Sequence, residues 1–371
     1  LSSLCEFPQL VCQIFRSFKV NMEGYYEVTF FINGEAQNVI IDDFIPCSKK
    51  TKEPFFCKPR SNEIWVLLLE KAWAKVNGGY INTIGGHASE SLRTLTPFCN
   101  KSYLNKEYSE EALFKTIIQA DTLGYTLTST SEFDEKIEKM GLNSSHSYTI
   151  ISAFEEVVND ELIRLLLIRN PWGFREWKGD WSDNSNKWNE TTRRIFKNTI
   201  ENKDDGTFYI ELKDYVKYFN ETQICRIMSP SCVKCVLIEN KRSFVGNVFE
   251  FALDKVSKVD ISIVKESFRF KRNETSIANE ITTNILLLER KGNTEYEILK
   301  IEGCHENDCV LDSELLPGTY LIYFICSTPN ITKCELHLKI VSTNFFLLAD
   351  KGIDENYEFL KEATPLVKKE R

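Results

Sequence analysis

The sequence contains no run of about 18 or more uncharged apolar residues, the length that a membrane-spanning helix needs. Its first residues, LSSLCEFPQLVCQIF, lack the basic stretch and the small-residue cleavage site of a secretory signal peptide. No basic cluster offsets the net charge of −8, which argues against nucleic acid or an anionic membrane as a partner. We therefore expect a soluble, cytoplasmic protein with no transmembrane segment and no nucleic-acid partner.

The twelve cysteines are scattered along 371 residues without the dense spacing of a small disulfide-stapled domain, so reduced thiols are the favoured interpretation. Six glycosylation sequons would instead fit secretion, although without a signal peptide we attribute them to chance: Asn100, Asn143, Asn189, Asn220, Asn273 and Asn330. A zinc site is a weaker alternative, because its second half lacks standard ligand spacing: Cys232, Cys235, Cys304, His305 and Cys309.

The pattern of predicted elements changes near residue 230, and all six tryptophans precede that point. Beyond it, regularly spaced strands predict a β-sandwich: Val248–Leu253, Lys258–Val264, Asn284–Glu289, Thr319–Cys326 and Cys334–Val341. The first part is mixed, with helices predicted over Ile64–Val76 and Glu110–Ile118 and strands over Tyr25–Ile32 and Val39–Ile41.

A predicted hairpin is bracketed by a histidine and an asparagine. If Val157–Asp160 forms its turn, the antiparallel register places His146 opposite Asn170. Opposed side chains on one sheet face lie about 4.5–5.5 Å apart at Cβ, so the amide oxygen can accept a proton from the imidazole. A neutral amide that fixes the ring in one tautomer suits a Cys-His-Asn protease. For an isolated pair, a surface histidine and an Asn-Pro turn would be the simpler interpretation.

The order of motifs along the chain resembles the calpain family of calcium-dependent cysteine proteases over residues 1 to about 228. Around the hairpin the motifs are His146-Ser-Tyr-Thr-Ile-Ile, Glu155-Glu-Val, Leu166-Leu-Ile-Arg-Asn170-Pro-Trp172-Gly and Glu176-Trp-X-Gly-X-Trp-Ser-Asp183. Others are Phe31-Ile-Asn-Gly-Glu35, Val39-Ile-Ile-Asp-Asp-Phe-Ile-Pro46, Leu69-Glu-Lys-Ala-Trp-Ala-Lys-Val-Asn-Gly78 and Asp205-Gly206. The tail resembles the family's β-sandwich more loosely, through Leu316-Pro-Gly-Thr-Tyr320.

The resemblance implies an α+β fold, a papain-like two-lobed protease core followed by an antiparallel β-sandwich. The expected domains are an incomplete upper lobe at 1–98, a lower lobe at 99–228 and the sandwich at 236–371. Protein substrates are the implied partners, and protein or lipid contact through the sandwich is a further possibility.

The resemblance also implies a role for each site residue. His146 would be the general base and acid, Asn170 its orienting partner and Trp172 the indole that shields their hydrogen bond. The nucleophile belongs to a Gly-X-Cys-(Trp/Tyr)-Phe-Leu motif, and we expect it before Leu1. Cys5 is interpreted as a packed thiol, because no aromatic-Phe-Leu follows it.

Calcium is the cofactor that the family implies. Glu176, Asp183 and Asp205 match its lower-lobe ligands, and Glu63 matches an upper-lobe ligand. Thr207 stands where the family usually has another glutamate, so a weakened site is expected. The alternative for these acids is a solvated surface carboxylate.

Two residues are expected to face substrate. Gly86 matches a position where a missing side chain lets the peptide approach, and Ser145 replaces the glycine that usually precedes the histidine. Three functions stay open: an intracellular calpain-like endopeptidase, a catalytically inactive relative that binds or regulates, and an interaction protein built on the sandwich.

Overall fold

The computed structural model describes residues 1–58, 63–198, 204–228, 232–240, 245–265, 282–292, 295–304, 308–327 and 334–353. The chain divides into two compact units. The first unit consists of Leu1–Cys12, His87–Leu92 and Asn100–Ile227, and the second of Gln13–Gly86, Arg93–Cys99 and Met228–Arg371. The predicted domain limits at 98, 228 and 236 stay predictions.

The helices are short. The α-helices are α1 Pro8–Ile14, α2 Trp65–Val76, α3 Ala88–Leu95, α4 Glu110–Thr122, α5 Glu190–Ile195 and α6 Leu212–Tyr218. Single 3₁₀ turns cover Leu4–Glu6, Tyr80–Thr83, Asn105–Glu107 and Glu135–Met140. Across the described ranges, no helix combines the length and the apolar character that crossing a bilayer requires.

The strands pair in antiparallel fashion throughout the described sheets. Those that precede residue 230 are β1 Tyr25–Ile32, β2 Glu35–Asp42, β3 Asn100–Leu104, β4 Thr126–Ser131, β5 Ser147–Val158, β6 Glu161–Arg169, β7 Thr207–Glu211 and β8 Phe219–Cys225. Those that follow are β9 Cys232–Asn240, β10 Val245–Leu253, β11 Ser257–Lys265, β12 Thr282–Arg290, β13 Tyr296–Cys304, β14 Cys309–Leu315, β15 Gly318–Ser327, β16 Cys334–Ser342 and β17 Leu348–Ile353.

The first unit is built on a six-stranded sheet in the order β3-β8-β4-β5-β6-β7. Successive side chains of β6 point to opposite faces of the sheet and pack into two different cores, because side chains alternate along a strand with a period of two. Leu166 and Ile168 pack into the core that α4 covers, whereas Leu165 packs on the opposite face with Trp181 and Trp188. Burial on both faces fixes the register of the strands that lead into the His146–Asn170 pair.

The β5–β6 hairpin departs from the predicted register. Asn159 and Asp160 alone form its turn, with φ of 52° and 65° as in a two-residue type I′ turn. A bulge near Ser152 shifts the ladder, and the last pair is Thr149 with Arg169. Continued outward, that register would place Trp172 opposite the histidine, so the predicted pairing with Asn170 across the ladder is wrong.

The second unit contains the β1–β2 hairpin and two larger sheets, in the orders β13-β12-β15-β10-β17 and β14-β11-β16-β9. The two larger sheets share one buried core, which includes Phe251, Ile322, Ile261 and Leu338. The strands predicted from the sequence are confirmed within β1, β2, β10, β11, β12, β15 and β16, and the helices within α2 and α4. The helices and antiparallel sheets give the mixed helix and strand content that was predicted.

Four strands of the second unit were missed: β9, β13, β14 and β17. In β13, YEILKIEGC, charged residues separate the apolar ones and no side chain is fully buried, so the continuous apolar run of a core strand is absent. β14 contains Asp312, Ser313 and Glu314, which weaken its strand signal. Pairing with a neighbouring strand, rather than local sequence, gives these segments their conformation.

Candidate active site

His146 and Asn170 lie in contact at the open end of the β5–β6 hairpin. His146 immediately precedes β5 and Asn170 immediately follows β6, so the two ladder ends deliver them to the same sheet edge. The imidazole Nε2 lies 3.0 Å from the amide Oδ1. Asn170 is fully buried, and burial strengthens a hydrogen bond by excluding competing water.

The amide of Asn170 has one orientation that satisfies its neighbours. Its Nδ2 donates to the carbonyl oxygens of Phe174 at 2.8 Å and Arg175 at 3.2 Å. Its Oδ1 accepts from the Trp172 backbone N–H at 3.1 Å as well as facing the imidazole. Because Oδ1 is an acceptor, His146 Nε2 carries the proton and Nδ1 is left as the basic nitrogen. The ring is thus held in the tautomer that a proton acceptor needs.

Two aromatic rings flank the imidazole. The Trp172 ring lies 4.6 Å from it between centroids, and Tyr148 meets it edge-on at 5.0 Å. Burial lowers the pKa of His146, and the hydrogen bond to Asn170 opposes that effect only in part. The imidazole is therefore neutral near pH 7 and able to accept a proton. Trp172 is 53% exposed, so its indole lies against the imidazole while about half of its surface stays open to solvent.

The backbone around Asn170 depends on Gly206. Gly206 O accepts from Asn170 N at 2.7 Å, and Gly206 N donates to Glu176 Oε1 at 2.7 Å. A Cβ at Gly206 would lie 2.8 Å from Asn170 O and 2.7 Å from Gly173 Cα. Its φ of +90° also favours glycine. The Asp205-Gly206 motif is thereby explained as a close approach of two backbone segments.

Ser145 adopts a left-handed conformation, with φ of +50°. This geometry gives a physical reason for glycine at the position before the histidine, since a Cβ is costly there. The turn is held from the neighbouring strand by Ser131, whose Oγ donates to Asn143 O at 2.6 Å and accepts from His146 N at 3.0 Å. Arg175 donates from Nη1 to Asn143 Oδ1 at 2.8 Å.

The N-terminal segment packs beside the pair. Arg169, directly before Asn170, donates to Ser2 Oγ and Ser2 O at 3.2 Å each and forms an ion pair with Glu6. Thr149 of β5 donates to Ser2 Oγ at 3.0 Å. Cys5 is exposed, so the prediction of a packed side chain is wrong.

Carboxylates gather near the loop that carries Gly206. Burial raises the pKa of Glu176 to about 7, and repulsion from Asp183 adds to it. Burial, followed by the charge of Asp205, raises the pKa of Asp183 to about 6. Asp183 Oδ2 is buried with no hydrogen-bond partner among the described residues. Glu176 and Asp183 line a cavity of about 540 Å³, together with Glu138 and Asp204.

These carboxylates have the donor chemistry of a calcium site. An orphaned buried oxygen and carboxyl groups that repel one another are both relieved by a cation. Asp205 is partly engaged, since its Oδ1 accepts from Thr207 N at 2.9 Å. In the described ranges no three His, Cys, Asp or Glu side chains converge as a formed metal site. The carboxylate oxygens of Glu176, Asp183 and Asp205 are the ligand type that calcium prefers, but these side chains would have to move closer together to bind the ion.

The remaining predicted residues lie in the second unit. Glu63 accepts a hydrogen bond from the Trp65 indole N–H at 3.1 Å. Gly86 has φ of +146°, a conformation that side chains rarely adopt. The four cysteines considered as zinc ligands lie in β9, β13 and β14. The fifth candidate ligand, His305, is outside the described residues.

Sequence reasoning missed Ser131, Asn143, Tyr148 and Arg175, which surround the His146 turn. Tyr148 alone had a signal, because it lies two residues beyond His146 and so shares its strand face. Ser131 comes from a different strand, and its contact depends on the β4–β5 pairing.

The chain is similar in sequence to known cysteine proteases. Residues 1–226 match the calpain family of cysteine proteases. The chain is 31% identical over 229 residues to the calpain-1 catalytic subunit of Rattus norvegicus, covering 61% of this chain and 32% of that protein. It is 32% identical over 225 residues to the calpain-2 catalytic subunit of Mus musculus, covering 59% and 32%. For the calpain-type cysteine protease ADL1 of Oryza sativa subsp. japonica, the identity is 32% over 219 residues, covering 57% and 10%.

The chain thus spans about a third or less of the length of these relatives. Among solved structures, the Yersinia pseudotuberculosis-derived mitogen aligns with 34% of this chain and 95% of its own, at 11% identity and a TM-score of 0.22. A similarity that low supports no argument about the fold.

Proposed function

Since the chain belongs to the calpain family of cysteine proteases, we propose that it carries the histidine and asparagine of a Cys-His-Asn endopeptidase and acts in limited proteolysis of proteins. The observation that carries the proposal is the 3.0 Å contact between His146 Nε2 and the buried, fully oriented amide of Asn170. The imidazole of His146 is neutral near pH 7, which is the protonation state that a general base needs.

In the proposed reaction, His146 Nδ1 removes the proton from a cysteine thiol, and the thiolate attacks a peptide carbonyl. The imidazolium then gives that proton to the leaving amine, and water hydrolyses the acyl-enzyme. Asn170 keeps Nε2–H in place through both proton transfers, and Trp172 limits the access of water to their bond. Gly86 and Ser145 are proposed to face the extended substrate.

The nucleophile is proposed to lie ahead of Leu1, where the family motif would continue. A residue three positions earlier lies within about 11 Å of Leu1 even in an extended chain. Ser2 is bonded to Arg169, the residue next to Asn170, so such a cysteine would be within reach of the pair.

Calcium is proposed as the cofactor, with Glu176, Asp183 and Asp205 as ligands in the first unit. Glu63 is proposed as a ligand of a separate, upper-lobe site. A bound cation would neutralise the carboxylates and draw their loops together. Thr207 supplies no carboxylate, so weak affinity is expected.

A catalytically inactive, regulatory relative is the second candidate. The left-handed Ser145 favours it, because a side chain replaces the glycine typical of this turn. We further propose the papain-like lobes, the β-sandwich with protein or lipid contacts, and a cytoplasmic location. Cysteines scattered along the chain without the spacing of a disulfide-stapled domain suit that location.

The test begins with a chain extended upstream to include the Gly-X-Cys motif. It should cleave an unfolded protein in the presence of calcium and lose at least about a hundredfold in rate on His146→Ala. Glu155→Ala, on an exposed part of the hairpin, is the matched control and should retain the rate. An extended chain that is folded yet inert would favour the regulatory candidate.

A further inference from the structure

We propose that Ser131 is a positioning residue for His146: its hydroxyl holds the strained turn before the histidine and thereby keeps the imidazole against Asn170. This inference rests on the proposed function, because it concerns the geometry of the same base. Ser131 belongs to β4, a strand that carries none of the proposed catalytic groups.

The contacts of Ser131 enclose the turn from both ends. Its Oγ donates to Asn143 O at 2.6 Å and accepts from His146 N at 3.0 Å. Its backbone N donates to His146 O at 3.0 Å. Ser131 is 1% exposed, so water does not compete for these bonds. One residue therefore fixes both the start of the turn and the backbone of the histidine.

The turn needs such support because Ser145 sits at φ +50°. A non-glycine residue in this region is strained and persists only where surrounding contacts determine the conformation. Ser145 N also donates to Glu132 O at 3.1 Å, again from the segment that follows β4. The Ser131 hydroxyl bonds the backbone N–H of the histidine and also Asn143 O at the start of the turn, so it is the side chain that links β4 to both ends of the turn.

A neighbouring serine provides a matched control. Ser129 is also fully buried in β4, where its Oγ donates to Glu221 O at 2.9 Å and accepts from Tyr215 at 2.7 Å. Ser129→Ala therefore removes a comparable buried hydroxyl without touching the turn. A purely structural role of Ser131 would make the two alanine variants behave alike.

The experiment measures the side-chain ¹⁵N shifts of His146 and the hydrogen exchange of its backbone amide in the full chain. In Ser131→Ala, the ratio of the Nε2–H to the Nδ1–H tautomer should fall by about threefold to tenfold, and amide exchange should accelerate by a similar factor. Ser129→Ala should leave both unchanged. Adding Ser145→Gly to Ser131→Ala should restore most of the ratio, since glycine accepts this φ without strain.

Ser131→Cys retains a donor group at the same position, although the sulfur is larger and bonds more weakly; it serves if Ser131→Ala does not fold and should give an intermediate ratio. An unchanged tautomer ratio in a folded Ser131 variant, or an equal loss in Ser129→Ala, overturns the inference alone. If the parent chain holds no single tautomer, the proposed function fails and the inference fails with it.

Discussion

Replacing Gly206 with alanine should destabilise the first unit far more than the same replacement at Gly124. Both glycines have positive φ, +90° and +70°, so each alanine bears a left-handed cost of ~1 kcal/mol. At Gly124 a new Cβ meets no heavy atom within 4 Å, whereas at Gly206 it meets Asn170 O at 2.8 Å and Gly173 Cα at 2.7 Å.

Relief of that contact requires the two backbone segments to separate. The separation breaks the 2.7 Å bond from Asn170 N to Gly206 O, and an unpaired buried N–H costs about 1–3 kcal/mol. We expect a loss of about 3 kcal/mol for Gly206→Ala and about 1 kcal/mol for Gly124→Ala. Urea unfolding followed by circular dichroism measures both values. Equal losses would refute the argument that backbone contact, rather than φ alone, requires glycine beside the active site.

Three further predictions concern charge. Asn170→Asp places a carboxylate on the imidazole and should raise the pKa of His146 by about one to two pH units, as an NMR titration would show. Burial raises the pKa of Glu176 from 4.5 to about 7. Between these two values the native state binds more protons than the unfolded chain, so the free energy of unfolding falls as the pH rises from about 4.5 to 7. Glu176→Gln should reduce that fall by about 1–2 kcal/mol after solvent screening, measured by urea unfolding with a chelator at both ends of the range. Arg93→Ala removes the nearly buried partner of Asp308 and should cost about 3 kcal/mol in thermal or urea unfolding.

Matched controls separate these effects from general destabilisation. Glu155→Gln removes a hairpin carboxylate and its surface ion pair with Arg164, and should change stability little. Arg16→Ala breaks an ion pair whose arginine is 71% exposed and should cost much less stability than Arg93→Ala. A titration of His146 that is identical with Asp or Asn at position 170 would show that the two side chains are not in contact in solution.

Membership of the calpain family was predictable from the sequence and is confirmed. The motifs around His146 and Asn170 identify it because they are local strings of residues. The strands of the second unit were predictable where apolar residues alternate, as in β11, and were missed where a strand has little buried surface, as in β13.

The contact between His146 and Asn170 was anticipated for an incorrect geometric reason. A ladder register was expected to oppose them, but the bulge near Ser152 and the two-residue turn shift that register. Their contact instead arises beyond the ladder, where the chain turns after Arg169. At the bulge, Ser152 and Ala153 donate hydrogen bonds to Asp121, a residue distant in sequence, so local residue order does not reveal this contact.

The sequence by itself determined the family, the elements with regular apolar periodicity, such as α4 and β11, and the identities of the histidine and asparagine, because each is encoded in short-range patterns. Only the tertiary structure decided which atoms meet. It set the amide orientation of Asn170, the left-handed turn at Ser145 and the support from Ser131, and it brought Gly206 against the backbone. Those features depend on pairing between strands remote in the chain, and residue order alone does not specify distances between such strands.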